Sequence, residues 1–228
     1  MSDPVKKVVL LSASPKPPQE YIVSEFLARY AGERLHSTEI EAQIFQVRQT
    51  LLHKETQPAY EAMFQSDAVL LFFPLYFFCM PAMLTRFLQD FAAYADGKER
   101  CGAKLYVFVN CGFPEPEINL EAVRAAESFA KHSGFTFRFG VMIGGGGMLL
   151  GAKDAPFMKE VFSALDRSLS QIEHEILTDE TFPAQTVSIP VKFPRRLYFF
   201  GGNLGWKSTA RKNGLKRKDL YRKPYLKG

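Results

Sequence analysis

Residues 67–91, DAVLLFFPLYFFCMPAMLTRFLQDF, decide how the chain is read. They open on a continuous apolar run, Ala68 to Phe73, with no polar alternation. That pattern suits a short strand buried on both faces, as in a parallel sheet covered by helices. Pro74 ends the ladder because it has no N–H to donate. Pro81 stands where a helix begins, since its missing N–H is one the first turn leaves unpaired anyway. Leu84, Phe87, Leu88 and Phe91 then recur at helical spacing and form one apolar face. Buried strand, short loop, helix is therefore the unit, and its loop leaves the carboxyl end of a sheet strand, where open α/β sheets bind ligands.

The loop, Pro74-Leu75-Tyr76-Phe77-Phe78-Cys79-Met80, carries three aromatics, a Leu and a Met where turns usually carry small polar residues. Something flat or apolar is expected to cover it: a ligand, or a neighbouring loop or subunit.

A length of 228 residues allows one large α/β domain plus an extension, and an apolar share of 46% is ample for a core. No apolar run is long enough to span a membrane, and the start does not resemble a signal peptide. Cys79, Cys101 and Cys111 form no CxxC pair, and the four histidines are scattered. These features argue against a disulfide framework or a metal site and for a reducing cytoplasm. The net charge of +5 hides an asymmetry. Residues 192–228 hold twelve Lys/Arg and one acid, a net of +11, which leaves 17 bases and 23 acids, a net of −6, in 1–191.

Residues 5–12 read as a first strand, followed by the turn-rich Ser12–Pro18 and a helix face of Ile22, Val23, Phe26, Leu27 and Tyr30. Strand, loop and helix at this point suit an anion, with Ser14 offering a hydroxyl and Lys16 a charge, although three prolines delete three N–H donors. Further strands are expected at 39–47, 103–110 and 135–143. Helices are expected around 59–64, 118–132 and 155–177. The alternation predicts a three-layer α/β sandwich: a five-stranded parallel sheet with helices on both faces, plus a basic C-terminal extension. The boundary is set at 1–180 and 181–228.

Pro74-Leu75-Tyr76-Phe77-Phe78-Cys79-Met80-Pro81 resembles the Pro-x-Tyr-(Phe/Trp)-x-x-x-Pro loop of the flavodoxin-like NAD(P)H-dependent FMN oxidoreductases. Val109-Asn110-Cys111-Gly112-Phe113-Pro114-Glu115, the Gly144–Gly147 run and the 203–215 segment look like a bacterial subgroup of that family. Ser14-Pro15-Lys16 stands where the family has Ser-Pro-Arg. The chain departs from the pattern at Ala13 and at Pro17-Pro18-Gln19-Glu20-Tyr21, and a Glu20 carboxylate would compete with a phosphate. The resemblance implies a homodimeric flavodoxin-like enzyme that uses FMN with NADH or NADPH to reduce a quinone, nitro compound or flavin. Ser12, Ser14, Lys16 and Tyr21 would hold the phosphate. Pro74, Leu75, Tyr76, Phe77 and Phe78 would meet the ring on one side, and Asn110, Cys111, Gly112 and Phe113 would line the other. The cofactor carries the chemistry, so no catalytic acid, base or metal ligand is nominated.

Other classes stay open. An electron carrier of the same fold is one, though the basic tail counts against it. A flavin-free scaffold is another, motivated by Glu20 and the prolines. The tail mixes aromatics and cations around Phe193–Phe200 and Trp206. It is expected to cover the acidic body of its own or a partner subunit, or else to make peripheral contact with an anionic membrane. No motif supports specific nucleic-acid binding.

Overall fold

The computed structural model describes residues 4–17, 22–98, 102–178, 180, 182–183, 185–223 and 225. The expectations placed on Pro18, Gln19, Glu20, Tyr21 and Cys101 lie outside the described residues.

The sheet has six parallel strands in the order β2-β1-β3-β4-β5-β6: β1 Lys6–Ser12, β2 Ile40–Gln46, β3 Ala68–Pro74, β4 Lys104–Asn110, β5 Thr136–Ile143 and β6 Val187–Ile189. The five-strand expectation is corrected by β6, which pairs with β5 from Val141 to Ile143. Three residues are too few to show strand periodicity, so this segment was assigned to the extension. Contacts divide the chain between Val191 and Lys192, which groups β6 with the sheet.

Strand β3 lies between β1 and β4, in register from Ala68 opposite Val8 to Pro74 opposite Asn110, and is buried through Phe73. Its continuous apolar run follows from this placement, because neither face meets water. Val69, Leu71 and Phe73 enter a core with Leu84, Phe87 and Phe91 of α4 (Ala82–Ala95) and Ala122 and Ala126 of α5 (Leu120–His132). On the other face Phe72 stacks on Phe108 at 4.7 Å. There α1 (Val23–Leu35) and α7 (Lys159–Thr178) pack together, with Phe26 and Tyr30 against Phe162. The expected inward face of α1 is rotated in the structure. Ser24, Leu27, Ala28, Ala31, Gly32 and Leu35 are buried, and Gly32 leaves room for Ile44, which would lie 3.3 Å from an added Cβ. One helix was expected between β2 and β3, whereas two form, α2 (Val47–His53) and α3 (Gln57–Gln65). A short turn of helix, α6 (Met148–Gly151), follows β5.

The basic segment beyond Val191 carries α8, Arg195–Lys212. Leu197, Phe199, Phe200, Leu204 and Trp206 are all exposed on it, and the Arg195 guanidinium lies over the Phe199 ring.

One charged cluster is sealed inside the body. Glu175 of α7 is fully buried and accepts from Tyr106 (2.8 Å), Arg138 (2.8 and 3.2 Å) and Gln171 (3.2 Å). Lys104 Nζ donates to the Glu175 carbonyl. Burial pushes the Glu175 carboxyl up, but the hydrogen bonds from Arg138, Tyr106 and Gln171 outweigh it and hold the group below its ordinary 4.5. A depressed carboxyl contributes stability that is complete above the unfolded value and is lost as pH falls through the folded one. Denaturant titrations are therefore expected to show stability falling below about pH 4.5. Glu175→Gln flattens that acid limb and costs about 1–3 kcal/mol at neutral pH, because the partly buried Arg138 loses its charged partner and keeps only neutral acceptors such as the Phe182 carbonyl. An unchanged acid limb in the variant would show that another carboxylate controls it.

Candidate functional site

The chain runs from β1 outward to β2 and then returns across β1 to β3, so the strand order reverses between β1 and β3. In open α/β sheets ligands bind at such a reversal, in the crevice beyond the carboxyl ends of the two strands. The β4 and β5 loops flank it on the β3 side.

The β3 loop is built as a tight turn. Tyr76 and Cys79 exchange two backbone hydrogen bonds, each 2.9 Å, with Phe77 and Phe78 between them at φ 46° and 61°. Two successive positive φ values define a type I′ turn, which normally takes Asn-Gly or Gly-Gly. For a bulky side chain this region costs about 1–3 kcal/mol per residue. Packing within the chain does not offset that cost, since Phe77 is 99% and Phe78 61% exposed. Tyr76 is also exposed and Leu75 half-buried, while Pro74 closes the strand. From the β4 loop, exposed Phe113 faces Phe78 with ring centroids 6.4 Å apart and planes 18° from parallel. Four exposed aromatics thus meet on two adjoining loops, and the strain beneath them presents their faces outward.

The β4 loop divides its expected residues into two kinds. The backbone carbonyl of Asn110 accepts from Leu75 N–H at 2.8 Å, and its side-chain amide donates to the Phe73 carbonyl at 3.3 Å, so this residue locks the exits of β3 and β4 together. Cys111 is buried. Its thiol donates towards the Phe113 carbonyl at 3.5 Å and accepts from Asn119 at 3.5 Å. Burial pushes that thiol up, the opposite of activation. Gly112 and Phe113 are exposed, and a Cβ at Gly112 would meet nothing within 4 Å, so the space beside it is open.

The Gly144–Gly147 run braces this loop from behind. Gly145 and Gly146 donate backbone N–H bonds to the Phe113 and Cys111 carbonyls, both at 2.7 Å. A Cβ at Gly144 would sit 2.3 Å from the Pro114 carbonyl oxygen, so only glycine allows this approach. This contact has no signature in local sequence, because it depends on two loops from different strands.

The β1 loop ends the crevice. Ser12 and Ser14 are buried, and Lys16 is exposed. Three non-proline N–H groups lie in residues 13–17. Ala13 donates to the Phe72 carbonyl at 2.9 Å, and Lys16 to Ser14 Oγ at 3.3 Å, so two of the three are already used. Ser12, Ser14 and Lys16 share a small cleft with Gln46, Arg48 and Gln49 from the β2–α2 junction. Arg48 escaped the sequence reading because its position depends on the parallel register that sets Gln46 opposite Ser12. Glu25 of α1 also borders the cleft, but its carboxylate is held by Arg29 at 2.8 and 3.2 Å. Hydroxyls, amides and two cations form a donor set suited to a phosphate monoester, and the exposed aromatics suit a planar ring. Among the described residues no group of His, Cys, Asp and Glu is placed to hold a metal, and no helix is long and apolar enough to cross a membrane.

The same fold occurs in an NADH:FMN oxidoreductase (15% identity, 78% of this chain and 92% of that one covered, TM-score 0.59). It occurs also in an oxidoreductase from Corynebacterium diphtheriae (12%, 77% and 99%, TM-score 0.60). A third is an NAD(P)H:quinone oxidoreductase from Methanothermobacter marburgensis (16%, 75% and 97%, TM-score 0.53). At these identities the likeness establishes the fold. No curated protein matches the sequence. The family model described as NADPH-dependent FMN reductase matches residues 6–115, a span that takes in the β1 loop, the strained Phe77-Phe78 turn and the β4 loop through Glu115. Over that span, a little under half of its length, the chain is similar to the NADPH-dependent FMN reductases.

Proposed function

We propose that the protein is an FMN-dependent NAD(P)H oxidoreductase that passes electrons to a small planar acceptor such as a quinone, a nitro compound or a second flavin. The observation that carries this reading is the Phe77-Phe78 turn, two exposed rings held at strained backbone angles beside the sheet's switch point. Strain of this kind persists where a site requires it. FMN, when bound, supplies the hydride and electron-transfer chemistry.

The chain's own groups position and shield the ring. Tyr76 and Phe78 offer flat apolar area, while Phe113 bounds the opening from the β4 side and excludes water. Gly112 allows close approach, and the Leu75–Asn110 bond together with the glycine brace keeps the two loops at fixed separation. Asn110 and Cys111 support these loops from inside, which revises their expected part as lining groups to a positioning one. Two copies of the acidic body and basic tail suit a homodimer by charge complementarity.

Purified protein mixed with FMN is expected to show a bound-flavin absorbance spectrum and to oxidise NADH or NADPH with a quinone present. Absence of flavin binding far above micromolar concentration would leave only the architecture and favour the flavin-free scaffold. Tyr76→Ala weakens FMN by about 0.5–1.5 kcal/mol beyond lost contact area in a binding titration; unchanged affinity would move the ring off this loop. Phe77→Gly separates site from fold. It relieves the positive φ at a ring that packs on nothing, so its unfolding midpoint stays equal to or above the wild type's, while acceptor turnover falls. A stability loss above about 1 kcal/mol would show that Phe77 serves packing.

A further inference from the structure

We infer that Arg48, at the start of α2, is the principal charge of a phosphate-monoester clasp that it forms together with Ser14 and Lys16 of the β1 loop. The inference rests on the flavin-binding reading above and names a residue of that same site. Three observations support it. Among the described residues of the β1 loop, Pro15 and Pro17 have no N–H, and the N–H groups of Ala13 and Lys16 already bond Phe72 and Ser14. Among the described residues around the cleft, side chains are therefore the larger donor set. The parallel pairing of Ser12 with Gln46 then carries the β2–α2 junction to the mouth of the same cleft, where Arg48 and Gln49 border it opposite Ser14 and Lys16. Finally, the acid bordering the cleft, Glu25, is bonded by Arg29, so its charge is compensated.

A guanidinium suits this task. It stays charged at any working pH and presents a planar fork that matches two phosphate oxygens, whereas a lysine offers only a point charge. The matching chemistry is a phosphate monoester, found both as the 5′-phosphate of FMN and as the 2′-phosphate of NADPH.

The test compares wild type, Arg48→Ala and Arg48→Lys, each titrated with FMN and with riboflavin, which differ only in the phosphate. Wild type is expected to prefer FMN. In Arg48→Ala the FMN affinity falls roughly tenfold or more while riboflavin stays within about twofold, and Arg48→Lys recovers only part of the loss. Equal weakening of both flavins would mean that Arg48 merely shapes the loop, and would overturn the inference. Should FMN be unaffected, flavin-free protein titrated with NADPH and NADH decides. Loss of NADPH preference in Arg48→Ala assigns the clasp to the 2′-phosphate, and an unchanged preference overturns it. A wild type that binds neither flavin would sink the enzyme reading instead. Inorganic phosphate then tests the clasp by itself: it raises the melting temperature of wild type but not of Arg48→Ala, and equal shifts in the two refute it.

Discussion

Strand β3 is paired on both edges and covered on both faces, and every feature of the crevice follows from how it ends. Along Ala68–Phe73 the backbone groups are used by β1 and β4, and the side chains are used by the helix layers. Nothing polar can leave until Pro74 breaks the ladder. The exit is then fixed from the side, because Leu75 is bonded to Asn110 and Asn110 returns its amide to Phe73. A loop anchored so close to its root has little room to relax. The strain at Phe77 and Phe78 is held there because the two bonds between Tyr76 and Cys79 close the turn above a rigid strand end.

Rigidity on the opposing loop comes from a different source. The β4 loop is tied by the Asn110 and Cys111 side chains, and the glycine run behind it adds two short backbone bonds and an approach that no Cβ permits. One loop is thus stiffened by strain over a strand, the other by a neighbouring backbone. Both hold aromatic rings at their outer surface, and the Phe78 and Phe113 rings lie near-parallel with centroids 6.4 Å apart. An opening with two stiff walls selects flat ligands over thick ones through shape, before any hydrogen bond is made.

How much of this was legible depends on the range of the interactions. The β3–loop–α4 unit was readable because burial on both faces writes an unbroken apolar run, and α7 because Val161, Leu165, Leu169, Ile172 and Ile176 keep helical spacing, all of them buried. The inward face of α1 coincides with the expected apolar one only in part, because its buried stripe joins Leu27 and Leu35 to Ser24, Ala28, Ala31 and Gly32, small residues that allow close approach. Strand β6 is too short for a period, and its pairing is imposed by β5. The aromatic loop was recognised as unusual, but its turn type was hidden, since Phe-Phe is not a sequence that signals positive φ. Cys111 was placed against a ligand, yet its thiol turns inward, a side-chain direction that strand periodicity does not fix beyond the last paired residue. Arg48 lay far in sequence from the loop it borders.

These two halves of the crevice also differ in what they contribute to binding. A related site with an intact backbone cradle would gain much of its affinity from the phosphate, through several N–H donors and the helix end. In the proposed site two prolines and two internal bonds take up four of the five positions from Ala13 to Pro17, so long side chains that must be ordered on binding would supply much of the phosphate contact. Each aromatic plate adds about 0.5–1.5 kcal/mol beyond area burial and is already in place. The balance therefore moves from the phosphate towards the ring. A site weighted in this way would discriminate its ligands mainly by the shape and flatness of the redox ring, with the charged end setting orientation.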